Sequence, residues 1–154
     1  MGVSGSGKTT IGRLLSAKTG YPFYDADSFH PPENIYKMKA GKQLTDADRL
    51  PWLNNIHTFV IGEIKNCSII IACSALKQSY RKLLENQLEN QCSWVFLKGD
   101  FNTIMNRMKN RTEHFMPPDL LQSQFDTLEM PTSSIEADIT MEPELIVDLI
   151  ILKI

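Results

Sequence analysis

Gly2-Val3-Ser4-Gly5-Ser6-Gly7-Lys8-Thr9 fits the pattern Gly-x4-Gly-Lys-[Ser/Thr], and its reading decides the fold. Each fixed position has a physical reason. The glycines let the backbone turn tightly, so that successive N–H groups converge on the phosphates of a nucleotide. Lys8 is long enough to reach the β- and γ-phosphates, and the Thr9 hydroxyl is placed to hold Mg²⁺. Thr10 to Thr19 continues as a helix, with Ile11, Leu14, Leu15 and Lys18 at helical spacing and Gly20 as its stop. The N-terminal dipole of that helix completes an anion site.

Such a loop normally hangs from the end of a buried parallel strand. Only Met1 precedes Gly2, so that strand is missing from the sequence. The rest of the chain alternates strands and helices, the signature of a doubly wound α/β sheet. Tyr21–Asp25 reads as a short strand, Ser68–Cys73 as one buried on both faces, Trp94–Leu97 as a third and Asp138–Met141 as a weak last one. Helices are expected over Glu33–Ala40, from a Thr45 cap with Asp48 at the third position, and again from Pro51-Trp52-Leu53. Others follow over Lys77–Gln91, over Phe101–Lys109 behind Asp100, and from Pro143 towards Lys153. Four strands result where the architecture wants five. Losing a buried central strand of about five residues would remove about 5–10 kcal/mol of side-chain burial, at 1.5–3 kcal/mol per large apolar group. That is comparable to a whole domain's stability and leaves strand edges open in mid-sheet.

The 154 residues form one domain, with 42% hydrophobic and 22% charged residues and a formal net charge of −2. No basic run favours nucleic acid, no stretch approaches the roughly 18 apolar residues of a membrane span, and no signal peptide is evident. Cys67, Cys73 and Cys92 are an odd number without zinc spacing, and read as reduced thiols of a cytoplasmic protein.

Phosphoryl transfer needs positioned charge and an oriented nucleophile, so carboxylates at strand ends and mobile arginines are the candidates. By themselves Asp25 and Asp27 read as an Asp-rich turn with a helix cap. Behind a phosphate loop they read as groups beside a magnesium nucleotide, at the strand end where ligands bind in open sheets. Asp46-Ala47-Asp48-Arg49 is a solvated helix start, except that Arg49 is a natural bidentate clamp for a carboxylate. Ser74–Lys77 is a further loop at the same edge. Arg107 and Arg111 share a helix face, as a solubility feature or as a pair reaching over the γ-phosphate from a closing lid, about residues 107–118.

Together these segments closely resemble the gluconokinase family. The likeness is carried by Gly2–Thr9, Tyr24–Asp27 with His30-Pro31, Leu44–Arg49 with Pro51-Trp52-Leu53, Ala72–Lys77 with Tyr80-Arg81, and His114–Pro118 with Leu121–Glu129. It runs from Met1 to about Pro131; the Ala72–Lys77 and His114–Pro118 segments are its most specific parts. The resemblance implies a P-loop kinase of the nucleoside-monophosphate-kinase type that uses ATP and Mg²⁺ to phosphorylate D-gluconate at its 6-hydroxyl. It implies a place in the pentose phosphate pathway and, usually, a homodimer. It assigns Gly2–Thr9 to the triphosphate, Lys8 to the transferred oxygens, and Thr9 and Asp25 to magnesium. Asp27 would orient or deprotonate the sugar hydroxyl, Arg49 would bind the carboxylate, His30 and Lys77 would contact carboxylate or hydroxyls, and Arg107 and Arg111 would be lid arginines. Family members carry an apolar strand ahead of the loop. A catalytically impaired short form, binding nucleotide or a partner weakly, is therefore the alternative reading, and a different acceptor such as shikimate or a nucleoside is a third.

Overall fold

A computed structural model describes residues 1–88, 91–109 and 120–154. Among them the order is α1 (Lys8–Thr19), β1 (Phe23–Asp25), a 3₁₀ turn (Ala26–Phe29), α2 (Pro32–Lys39), α3 (Asp46–Glu63), β2 (Ile70–Ala72), α4 (Gln78–Glu85), β3 (Val95–Lys98), α5 (Phe101–Lys109), α6 (Leu121–Thr127), β4 (Ile135–Asp138) and α7 (Pro143–Ile151). The four strands form two parallel pairs. Phe23, Tyr24 and Asp25 of β1 face Ile70, Ile71 and Ala72 of β2, and Val95–Lys98 of β3 pairs with Ile135–Asp138 of β4.

Met1 lies where a strand between the pairs would end. Its carbonyl accepts from Leu97 N–H at 3.0 Å and its amine donates to the Val95 carbonyl, while Gly2 N–H reaches the Ser74 carbonyl beyond β2 at 3.3 Å. Helices cover both sides. Val3, Leu97, Ala137, Ile146, Val147 and Ile150 join one core with α1 and α7; Phe96, next along β3, turns to the other with Trp52, Leu53, Ile56, Tyr80 and Leu84 of α3 and α4. Adjacent residues of one strand thus serve opposite layers, as a doubly wound sheet requires. Gly12 sets the approach of α1 to β1, since a Cβ there would lie 2.3 Å from the Phe23 ring. No helix among the described residues is long and apolar enough to cross a membrane.

Several expected boundaries move. The helix starts at Thr45 and Pro51 are one continuous helix, α3, with Pro51 inside it. Proline removes one backbone bond there and costs about 3 kcal/mol. Burial of Trp52, Leu53 and Ile56, each at most 2% exposed, offsets that at about 1.5–3 kcal/mol apiece, and Trp52 Nε1 donates to the Ala26 carbonyl at 2.7 Å. The expected helix over Lys77–Gln91 stops at Glu85, because Asn86 is extended and Gln87 is left-handed at φ 64°. The last strand is Ile135–Asp138 rather than Asp138–Met141: the Asp138 carboxylate takes Thr140 N–H and Oγ1 at 2.8 and 2.7 Å, which turns the chain. Strand β2, expected to be buried on both faces, is only half-buried at Ile70 and Ile71. Helix α6 has no counterpart among the expected helices, although Leu121, Phe125 and Leu128 stand at helical spacing and join one core.

Candidate functional site

Gly2, Gly5 and Gly7 adopt φ of 143°, 80° and 98°, the left-handed region that side chains resist. Gly7 caps α1 without a side-chain hydrogen bond, which leaves the first N–H groups of the helix facing the loop. Lys8 Nζ folds over this loop and donates to the Gly2 and Val3 carbonyls at 3.0 and 2.9 Å. Ser4 N–H is anchored on Gln124 Oε1 at 2.6 Å, from helix α6. Ser6 Oγ is buried without a hydrogen-bond partner among the described residues. Glycine-built curvature, a lysine over the loop and an orphaned buried hydroxyl fit a phosphate ligand.

The strand-end carboxylates stand beside this loop. Thr9 Oγ1 donates to Asp25 Oδ2 at 2.8 Å, so the two groups expected at magnesium are in contact. Asp25 Oδ1 accepts from Asp27 N–H at 3.1 Å and holds the turn. Asp27 has much of its surface open, yet its carboxyl is packed closely enough to lose hydration. That desolvation, then the Asp25 charge, raises its pKa, and Lys8 opposes the rise. Among the described residues no group of three His, Cys, Asp or Glu is placed to hold a metal. A hydroxyl, one carboxylate and nucleotide phosphates are the donor set that suits Mg²⁺, which keeps waters and phosphate oxygens.

The second cluster is built from three elements. Lys77, at the end of the loop after β2, forms a forked contact with Asp46 of α3, 2.8 Å to each oxygen. Tyr80 Oη of α4 donates to Asp46 Oδ1 at 2.5 Å, and Arg49 Nη1 lies 3.5 Å from the same Tyr80 oxygen. The Lys77 contact, then Tyr80, holds Asp46 below the usual carboxylate range. His30 stacks on Trp52 with ring centres 4.3 Å apart. Burial first, and the Arg49 charge second, push His30 down to about 4, so it is neutral at pH 7. Asn34 Nδ2 lies 3.3 Å from His30 Nδ1; donation there puts the ring proton on Nε2.

The loop between the two clusters is fixed by Arg81, which sequence reasoning took only as part of a family segment. It is 5% exposed and donates to the Ala75 and Leu76 carbonyls at 2.9 and 3.1 Å and to Glu129 O at 3.0 Å. Ala75 is held at φ 42°. Tyr80, Asp46 and Gln124 were likewise missed as site residues; only their presence in family-like segments pointed to them. Arg107 Nη2 donates to the Ile139 carbonyl at 2.7 Å, at the end of β4. Arg111 and His114–Pro118 lie outside the described residues.

The profile of the family described as shikimate kinase matches residues 4–132. The thermosensitive gluconokinase of Escherichia coli is 45% identical, over 90% of this chain and 74% of its own length. The gluconokinase family is where this chain belongs. The Gluconobacter oxydans gluconokinase is 42% identical over 85% of the chain and 75% of that protein. A crystal structure of a gluconokinase from Sinorhizobium meliloti superposes with TM-score 0.87 at 42% identity, covering 97% of this chain and 85% of that one. Membership in the gluconokinase family agrees with the P-loop kinase fold read from the sequence.

Proposed function

We propose that the chain transfers the γ-phosphoryl group of ATP to the 6-hydroxyl of D-gluconate. The observation that carries this is the 42–45% identity to proteins named gluconokinase, over 85–90% of this chain. Lys8 and the loop N–H groups hold the triphosphate and neutralise charge that develops on the transferred oxygens. Mg²⁺, held by Thr9 and by Asp25 directly or through water, would supply further charge neutralisation on the phosphates. Asp27, its basicity raised by desolvation and by Asp25, accepts the proton of the attacking hydroxyl. Arg49 takes the gluconate carboxylate. Neutral His30 offers Nε2–H to a hydroxyl, and Lys77 exchanges the Asp46 carboxylate for substrate oxygens.

Arg107 and Arg111 serve as lid arginines in this reading, with Arg107 exchanging the Ile139 carbonyl for phosphate on closure. The product would feed the pentose phosphate pathway of the cytoplasm, and the active unit would be a homodimer, checked by sedimentation. The deciding experiment is ADP production by the 154-residue chain with ATP and Mg²⁺, with and without gluconate, beside Lys8→Ala. Turnover that requires both gluconate and Lys8 is expected. Turnover with shikimate or a nucleoside but not gluconate would overturn the acceptor, and folded protein without turnover would favour the impaired short form.

A further inference from the structure

Four polar or charged residues are buried among the described ones: Ser6, Asn34, Arg81 and Gln124. Two of them, Gln124 and Arg81, tie one short segment, 121–129, to the loops on either side of it. Gln124 of α6 accepts Ser4 N–H of the phosphate loop at 2.6 Å. Five residues on, Glu129 N–H donates to the Leu76 carbonyl at 2.9 Å, and the Glu129 carboxylate accepts Gln78 N–H at 2.5 Å. Arg81 closes that end, donating to Glu129 O from one guanidinium nitrogen and to Ala75 O and Leu76 O from another. Between the two ties the segment is packed: Leu121 is fully buried, Phe125 meets Phe101 edge-on at 5.6 Å, and Leu128 packs against both cores. Arg81 makes no ion pair among the described residues. A buried guanidinium spent on main-chain carbonyls fixes backbone positions rather than pairing charge.

We propose that Gln124 and Arg81 are positioning residues that make the 121–129 segment a spacer, setting the separation of the phosphate loop from the acceptor loop 74–77. This deepens the proposed kinase reaction and rests on it. The two loops carry opposite partners of that reaction. Ser4 belongs to the loop that holds the triphosphate, while residues 75–78 carry Lys77 and lead into Tyr80. Transfer needs the two substrates in line, and a displacement of about 1 Å can cost about a hundredfold in rate. A residue that acts only on spacing therefore shows in kcat and not in KM. Ser4 N–H fits this role, since a loop amide is given to a side chain of the spacer rather than left for phosphate. Ala75 fits it from the other end: it is held at φ 42°, and the Arg81 bond to its carbonyl secures that strained turn. The two ties act in series. Releasing either one releases the spacing, and releasing the second adds little.

The test is a double-mutant cycle. Gln124→Met keeps length and packing but lacks the acceptor oxygen; Arg81→Lys keeps the charge but cannot fork to three carbonyls. Each should lower kcat for gluconate-dependent ADP production about tenfold or more, with KM for ATP and for gluconate within about threefold. In the double variant kcat should fall no more than about twofold below the worse single variant, because groups that act as a unit are non-additive. A second measurement needs no transfer and no Arg81 variant. With Mg²⁺ and the non-hydrolysable analogue AMP-PNP on the phosphate loop, amide exchange of Gln78 and Glu129 should slow at least about threefold, and Gln124→Met should abolish the slowing. Losses that multiply, losses carried by KM, or kcat within about threefold of the wild type would each overturn the proposal. So would slowing that persists in Gln124→Met, or none in the wild-type chain. A chain that shows the slowing yet transfers nothing to gluconate keeps the spacer and loses the acceptor. Multiplied or KM-borne losses keep the reaction and lose the spacer.

Discussion

The phosphate loop and the Asp46–Lys77–Tyr80 cluster bind charge by opposite means. The loop works through backbone: three left-handed glycines, a helix end without a side-chain cap, and a lysine resting on carbonyls. The cluster works through side chains from three elements, and its cation already holds a carboxylate that belongs to the chain. The loop's curvature is fixed by local conformation, with Ser4 N–H on Gln124 and Gly2 N–H on Ser74 as its distant ties. Side-chain donors are placed by tertiary packing and must exchange partners when substrate arrives. The first region should therefore be intolerant and all-or-none, the second graded and selective.

The largest effect expected is on the loop side. Lys8→Ala should lower gluconate-dependent turnover more than about 10³-fold, since it removes the charge that rests over the phosphate loop. A loss of tenfold or less would break the contrast. Asp27→Asn should cost about a hundredfold or more in kcat, the range of a general base. Its sign with pH is testable. The raised pKa means the carboxylate forms only above the ordinary Asp value, so kcat/KM should fall on the acid side with its limb above 3.8. That limb should vanish in Asp27→Asn.

On the acceptor side the effects should separate the two substrates. Arg49→Ala should raise KM for gluconate about 10–100-fold and leave KM for ATP within about twofold. Equal effects would remove Arg49 from the carboxylate. The same variant should raise the His30 pKa while leaving it below 6.5, because burial is the larger cause and the Arg49 charge the smaller. An imidazole NMR titration reads this directly.

These differences follow what the sequence could disclose. A loop whose chemistry is backbone can be read locally, because the residues that permit its shape are contiguous; Gly2 to Thr9 needed nothing else. The Thr45–Asp48 capping box was legible for the same reason. Tyr80 and Arg81 were not, since nothing local says that one binds Asp46 and the other three carbonyls from residues 75 to 129. Pro51 misled because a local rule against proline lost to burial of the residues that follow it. Four strands could be counted in the sequence, but the pairing of β1 with β2 and of β3 with β4 could not, since register is set by tertiary packing.

Acid should stress the acceptor side. Burial first, and the Arg49 charge second, push His30 down to about 4, so the unfolded chain binds the extra proton and stability declines as pH falls from 6.5 to about 4. His30→Gln should flatten that part of the decline in urea titrations. An unchanged slope would remove the buried imidazole from the pH response.

The smallest effect is the most local. Thr45 caps α3 through Asp48 N–H at 3.2 Å, and its own N–H reaches Asp48 Oδ2 at 2.9 Å, which also accepts from Thr45 Oγ1. Removing such a cap costs about 1 kcal/mol, or about 2–4 °C in a domain of this size. The helix start so loosened carries Asp46 and Arg49, the latter with its N–H on the Thr45 carbonyl. Thr45→Ala should thus raise KM for gluconate a few-fold while KM for ATP holds, because α1 begins at a glycine and has no such cap to lose. If both constants rise together, the helix start supports the whole domain rather than the acceptor side, and the division between a backbone-built and a side-chain-built region fails at its weakest joint.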